Sequence, residues 1–515
     1  MESIETIART AVKGSTLIFA GNFISTLLRA ITSIIIGRLV GPEGYGLYTL
    51  SLTPSSLLLL ASDFGVNAAL IKYTSNCKEN KEEVVSTGLT FQSVWGLFLS
   101  LVLYLYAAPL SVYVINRPEA EHLVRVTSAL IISQILFNTI NCIFVGFMMF
   151  ERSSYLTVLE AALKLTITFI LLMLGLGVYG AIVGHVTSYL LAVLITVPLL
   201  LKCSLNLKIR LKISVLKMML IFGIPLYLSG LLSGLLNVYR NHLFSIYISD
   251  AEIGSFTVAL ALSNVILVFA SPISIVLFPQ FSKIGGDKPY LIKSLFKSSI
   301  KYTSLLILPI VTFMIFFSRD IVYLFYGSRY VTSPQYLAIV SLQYFLVGLG
   351  MVTLGSLLSG LGDTNAILKS GLIAFTLSII SYPIAVKYYS VVGVIAVMLI
   401  ASTTSVVYLL LHSIKAYGVE IDLRNTSRIY ASSLISATLV WILRTFLDFK
   451  KTYINVVVFG VAFVILYAFI LPIFKAINEE DVEQLDRIFK NIEALYFLLK
   501  VPLNIERRIL RLFTR

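Results

Sequence analysis

The feature that most constrains this chain is a succession of apolar runs, each about as long as a helix that crosses a bilayer. Spanning roughly 30 Å of hydrocarbon at about 1.5 Å per residue takes about 20 residues. Runs of that length lie near 14–37, 46–71, 84–109, 122–149, 153–176, 178–201, 218–241, 253–279, 296–317, 331–358, 365–386, 391–413, 428–447 and 453–474. Only helices and closed barrels satisfy their backbone polar groups in lipid, and the runs lack the period-2 alternation of barrel strands. The expected fold is therefore all-α, a polytopic bundle of about fourteen transmembrane helices.

Composition agrees: 58% of the 515 residues are hydrophobic and 13% charged, against roughly 45–50% and about 25% in a soluble domain. The net charge of +14 would raise nucleic acid as a partner in a soluble protein. Here the basic residues crowd into short loops, where they set topology and meet membrane lipids, so no nucleic-acid partner is expected. With the N-terminus inside, inner loops and helix ends carry 20 Lys and Arg before the tail and outer ones 10. The bias predicts a multi-pass protein of the cell membrane with both termini cytoplasmic.

The first apolar run is too long for a cleavable signal and lacks a small-residue cleavage site. Cys77, Cys142 and Cys203 show no metal-ligand spacing, so neither a metal nor a cofactor is expected. No loop is large enough for a catalytic domain, and neither a P-loop nor an H-E-x-x-H motif occurs. A membrane glycosyltransferase working on a lipid-linked sugar is accordingly disfavoured, and the chain reads as a non-enzyme. The segment 476–515 alternates apolar and charged residues at helical spacing, which predicts an amphipathic cytoplasmic tail with Arg507, Arg508, Arg511 and Arg515 toward anionic headgroups.

An internal repeat organises the rest. GPEGYGLYTLSL after the first run resembles SDAEIGSFTVALAL after the seventh, aligning Gly46 with Gly254; Gly146 aligns with Gly355 and Gly180 with Gly393 at similar offsets. Two homologous six-helix halves of shared orientation follow, an N-lobe over 1–210 and a C-lobe over 211–415, with two additional helices over 416–475. Duplicated helical halves without a soluble domain suit a carrier.

An ionised side chain at mid-bilayer costs about 2.5–3.5 kcal/mol on insertion scales, so such residues usually face an interior or a watery cavity. Arg29 and Lys164 lie near the midplane of the first and fifth runs, Arg240 near the outer end of the seventh. These three read as a cationic site for an anionic substrate, since a guanidinium fork suits phosphate. Glu160, one turn before Lys164, Asp63 and His185 are the titratable candidates for ion coupling. Each also has a local reading: Glu160 and Lys164 neutralising each other, Arg240 snorkelling to the interface, Asp63 capping a helix, and His185 held by an interior hydrogen bond.

LVGPEGYGLYTLSL following a helix that carries Arg29, with DFGVNAALIKYTS closing the second, resembles the polysaccharide-transporter branch of the multidrug/oligosaccharidyl-lipid/polysaccharide exporter superfamily, which includes O-antigen-type flippases. The resemblance extends over the whole chain. It implies two six-helix lobes in a V around a central cavity, plus two extra C-terminal helices. The implied activity is moving a polyprenyl-phosphate- or polyprenyl-diphosphate-linked oligosaccharide from the inner to the outer leaflet by alternating access, with H+ or Na+ as coupling ion and glycan-assembly enzymes as partners. Arg29 matches the first-helix cation of such flippases, whereas Lys164 and Arg240 stand outside any local motif. A multidrug or cation exporter and a peptidoglycan lipid II flippase are the alternatives in the same superfamily; the deep cations disfavour the first.

Overall fold

The computed structural model describes residues 4–76, 81–201, 210–285, 288–447, 449, 451–478 and 481, and among these every regular element is helical. The tail read as amphipathic, with its four arginines, lies outside the described residues apart from its first positions. The chain forms two compact units, Met1–Thr257 with Tyr382–Val391, and Val258–Ser381 with Val392–Arg515.

Elements α1 to α10 are Ile4–Ser51, Thr53–Leu59, Val66–Asn76, Lys81–Leu105, Ala107–Tyr113, Glu121–Gly146, Phe150–Met173, Gly177–Leu201, Ile213–Tyr247 and Asp250–Ser263. Elements α11 to α18 are Val265–Ile284, Pro289–Phe316, Ser318–Phe325, Ser333–Ser341, Met351–Gly360, Thr364–Tyr417, Leu423–Phe446 and Thr452–Ile473. Among the described residues ten helical segments are long and apolar enough to cross a membrane, or eleven if Ser333–Leu349 and Met351–Gly360, bent by 50°, form one span.

That number falls short of the fourteen apolar runs, and part of the difference has a physical cause. Two segments, Leu17–Leu59 and Thr364–Tyr417, contain 43 and 54 residues. At 1.5 Å per residue they measure about 65 and 80 Å, at least twice the hydrocarbon thickness. Each is two helices joined across a kink. In α1 the break is Gly41, with φ 74°, followed by Pro42. In α16 it is Ser390, with φ 55°. A left-handed residue interrupts the helix without separating its two parts by a loop.

In the first unit, small residues let helices approach closely, the usual packing device where lipid removes the hydrophobic drive. Helices α1 and α7 run parallel: a Cβ on Gly21 would sit 2.7 Å from Ser154 Cβ, and Ser154 Oγ donates to the Leu17 carbonyl at 2.8 Å. The two repeat-matched glycines meet each other's segments. A Cβ on Gly46 would fall 1.9 Å from the Asp250 carbonyl oxygen, and one on Gly254 would fall 2.0 Å from that of Pro42. Thr49 Oγ1 donates to Thr257 Oγ1 at 3.4 Å across 208 positions, the spacing that also separates Pro42 from Asp250 and Gly46 from Gly254. The contact is thus reciprocal, segment for segment.

The second unit is held by apolar and aromatic packing and by polar ties between helices. Phe313 of α12 and Phe317, between α12 and α13, meet Phe463 and Phe459 of α18 at 5.5 and 6.0 Å between ring centroids. Ser433 Oγ donates to Thr312 Oγ1 at 2.8 Å, and Arg444 Nη2 donates to Asp320 Oδ1 at 2.8 Å. One end of α12 carries a ladder of lysines four residues apart: Lys293 pairs with Glu420 at 2.6 Å, Lys297 with Asp422 at 3.1 Å, and Lys301 with Asp481. At the same end Asp363 caps α16 through the Ala366 N–H at 3.3 Å and pairs with His412 Nε2 at 2.6 Å.

Candidate functional site

The parallel packing of α1 and α7 determines which charges meet. About two turns beyond the Gly21–Ser154 contact, Arg29 reaches across to Glu160: Nη2 donates to Oε2 at 2.7 Å and Nε to the same oxygen at 3.2 Å. The Glu160 side chain is fully buried, whereas that of Arg29 is 41% exposed. The acid is therefore fixed within the unit while the guanidinium keeps an open face. Glu160 Oε1 accepts no hydrogen bond among the described residues. Removing the partner of a buried ion costs about 3–5 kcal/mol, so Glu160 must keep a cation close by.

Lys164 is that second cation. It stands one turn after Glu160 on α7, half-buried, with Glu160 and Arg29 acting on it electrostatically. It does not make the local i,i+4 ion pair with Glu160 that its spacing allows. Arg29, 131 positions away, holds that place. The site therefore contains two cations and one carboxylate, a surplus of one positive charge.

His185 borders the same cluster from α8. Its Nδ1 lies 3.1 Å from the Tyr48 hydroxyl, and its ring approaches those of Tyr48 and Tyr189 at 6.4 and 5.7 Å. Phe137 closes an edge-to-face contact on Tyr189 at 4.9 Å. Tyr48 and Tyr189 were not singled out by the sequence reading. Their signal lay in spacing, since Tyr48 sits in the LYTLSL segment after the kink and Tyr189 one turn beyond His185.

The remaining two candidates are placed differently. Asp63 occupies the break between α2 and α3, where Oδ1 accepts from the Asn67 N–H at 2.9 Å and from Gln92 Nε2 at 3.4 Å. From two residues before the cap position, the carboxylate thus satisfies a first-turn N–H of α3, as a capping side chain does. Arg240, on α9, stacks over the Phe256 ring at 5.1 Å and has its Nη2 3.5 Å from Asn241 Oδ1, a long contact. Its Nε is buried without a hydrogen-bond partner among the described residues. Neither residue makes a described hydrogen bond or ion pair with Arg29, Glu160 or Lys164.

The sequence reading also passed over a polar fastening at the end of the unit. Arg117 Nη2 donates to Asp250 Oδ1 at 2.7 Å, and Arg117 Nη1 to the Ser245 carbonyl at 3.1 Å. His242 Nδ1 lies 2.8 Å from the Val114 carbonyl. Arg117 and Asp250 belong to different apolar-run boundaries, so no local motif connects them. A cavity of about 950 Å³ lies elsewhere, between α6 and α8, lined by His122, Arg125, Tyr179, Val183 and Thr187 among others. Neither His185 nor the charged cluster lines it.

Comparisons with known proteins fit this architecture. The chain is 26% identical over 152 residues, 30% of its length, to the succinoglycan biosynthesis transport protein ExoT of Rhizobium meliloti (strain 1021), and the match spans 30% of that relative. Among solved structures, a lipid II flippase MurJ in an inward closed conformation superposes with a TM-score of 0.76 at 18% identity, covering 89% of this chain and 98% of that one. An inward-facing multidrug resistance MATE family transporter of the MOP superfamily gives 0.58 at 18% identity, covering 82% and 96%. These likenesses establish a shared fold. The model of the family described as "Polysaccharide biosynthesis protein" matches residues 35–335, more than half of the sequence, and the chain belongs to that family.

Proposed function

We propose that this protein is a flippase that carries a polyprenyl-phosphate- or polyprenyl-diphosphate-linked oligosaccharide from the inner to the outer leaflet of the cell membrane, by alternating access coupled to a gradient of H+ or Na+. The observation that carries the reading is the Arg29–Glu160–Lys164 arrangement: an open guanidinium, a fully buried carboxylate and a spare cation. A lipid phosphate can take Arg29 from Glu160 because Lys164 remains to neutralise the acid. The exchange trades one charge-assisted pair for another and leaves no buried charge unpaired. A saccharide head needs such a path, because each uncompensated hydroxyl costs several kcal/mol in hydrocarbon.

Reconstitution in liposomes tests this. The measurement is the initial rate at which a lipid-linked oligosaccharide appears in the outer leaflet. Arg29→Ala lowers it about tenfold or more, the loss of one charge-assisted pair worth about 1.5–3 kcal/mol. An unchanged rate overturns the assignment of Arg29. Glu160→Gln with full rate and unaltered ion dependence removes Glu160 from coupling. Lipid II belongs beside the oligosaccharide donor in the same assay, because the fold is shared with a lipid II flippase. Selective transport of a cationic dye would favour the exporter alternative.

A further inference from the structure

A second site lies between α3 and α9, and its lining includes no residue of α7. Where Gly65 meets Gly223 these segments touch backbone to backbone: a Cβ on Gly65 would fall 2.1 Å from the Gly223 carbonyl. Phe64 and Tyr227 meet at a tilt beside this contact, 5.8 Å between ring centroids. Two turns further the helices diverge, leaving a cavity of about 670 Å³ lined by Tyr73, Ser214, Lys217, Met218, Ile221 and Phe222. The hollow is a shallow, open one on the surface of the unit, and its lining stops short of the glycine contact.

Its chemistry is divided along its length. At the rim stand Lys217, which lines the cavity, and Lys72, whose ammonium sits 3.8 Å over the Phe222 ring and 5.4 Å over that of Tyr73. No acidic side chain lines the cavity, and nearby Glu83 is engaged by Lys212 at 2.8 Å. Helix α9 starts here with no side-chain cap on its first turn, so the positive end of its dipole, which favours anions, lies beside Ser214 and Lys217. Further into the bilayer than Lys217, Ile221 and Ile224 are 67% and 41% exposed, an apolar surface suited to lipid chains.

We infer that this hollow seats one anionic phospholipid of the bilayer, with its phosphate between Lys217 and Lys72 and its chains along Ile221 and Ile224. The backbone contact of Gly65 with Gly223 leaves no room for a headgroup to pass between these segments there. The loop charges assign this rim to the cytoplasmic side, the leaflet rich in anionic lipid. The inference does not depend on the role given to Arg29.

The test uses the purified full chain in nanodiscs of phosphatidylcholine doped with phosphatidylglycerol, with retained lipids counted by native mass spectrometry after transfer to detergent. The wild type retains one phosphatidylglycerol in preference to phosphatidylcholine. Lys217→Gln and Lys72→Gln each reduce that preference about fivefold, while Lys283→Gln, an exposed lysine elsewhere, leaves it unchanged. Arg29→Ala also leaves it unchanged, whatever it does to transport. Equal retention of both lipids, retention insensitive to both lysine variants, or loss of the lipid in Arg29→Ala overturns the proposal. Displacement by inorganic phosphate would mean a free-anion site, and displacement by polyprenyl phosphate but not by added phosphatidylglycerol would mean a substrate site; either also overturns it.

Discussion

At the residue scale, electrostatics in this protein is decided by which cation each buried or capping acid obtains. The pairing of Glu160 was not legible from its own helix, because the i,i+4 spacing to Lys164 is a local signal and the winning partner comes from a helix 131 positions away. Outside the membrane the same logic gives a pH-dependent contact. Asp363 hydrogen-bonds to His412 and caps α16, and the bond from His412, reinforced by the Ala366 N–H and the Tyr417 hydroxyl, holds its carboxyl below the usual carboxylate range. A carboxyl depressed in the folded state contributes stability that is present above its unfolded value, about 3.9, and is lost as pH falls through the lower folded value. Asp363→Asn keeps the cap and removes the charge, so it should lower the thermal midpoint at pH 7. The loss is about 1 kcal/mol, held down by solvent screening at this partly exposed position. Thermal denaturation as a function of pH checks this: the gap to wild type should close as the pH falls below about 4, and a gap that persists there contradicts the role given to the charge.

At the element scale, the long apolar runs were readable because hydrocarbon length and backbone satisfaction leave little choice. The merging of runs was less so. Gly41–Pro42 announces a break, yet the helix continues on both sides of it, and Ser390 breaks α16 with neither glycine nor proline beside it. Asp63 shows the limit in the other direction. Its sequence signal, a lone acid in an apolar run, is the same for an ion-coupling carboxylate and for a helix cap, and only the Asn67 N–H at 2.9 Å shows the cap. Helix contacts also separate glycines that the repeat treats as equals. A Cβ on Gly146 would fall 1.8 Å from Thr74 Oγ1, while one on its counterpart Gly355 meets nothing within 4 Å. Gly146→Ala is therefore expected to destabilise by about 1–3 kcal/mol through overpacking, and Gly355→Ala to be neutral or stabilising by up to about 1 kcal/mol. Detergent-extracted yield and thermal midpoint compare the two, and equal losses would contradict the packing described.

At the scale of the whole molecule, the loop charges make a definite statement about topology that can be measured. With both termini cytoplasmic, the Arg117–Asp250 fastening lies at the extracytoplasmic rim and the lysine ladder of α12 at the cytoplasmic one. In a variant without native cysteines, Glu119→Cys should react with a membrane-impermeant maleimide in intact cells, while Glu420→Cys should react only after permeabilisation. The reverse pattern would invert the orientation and with it the direction of transport. The reciprocal meeting of Gly46 with Asp250 and of Gly254 with Pro42 has a consequence for how such a sequence can evolve. In each direction the obstacle is a carbonyl of the main chain, which no compensating side-chain replacement can remove. A side-chain change at one position thus has no suppressor at the other, and both segments stay bound to the smallest residue as long as the chain is folded this way.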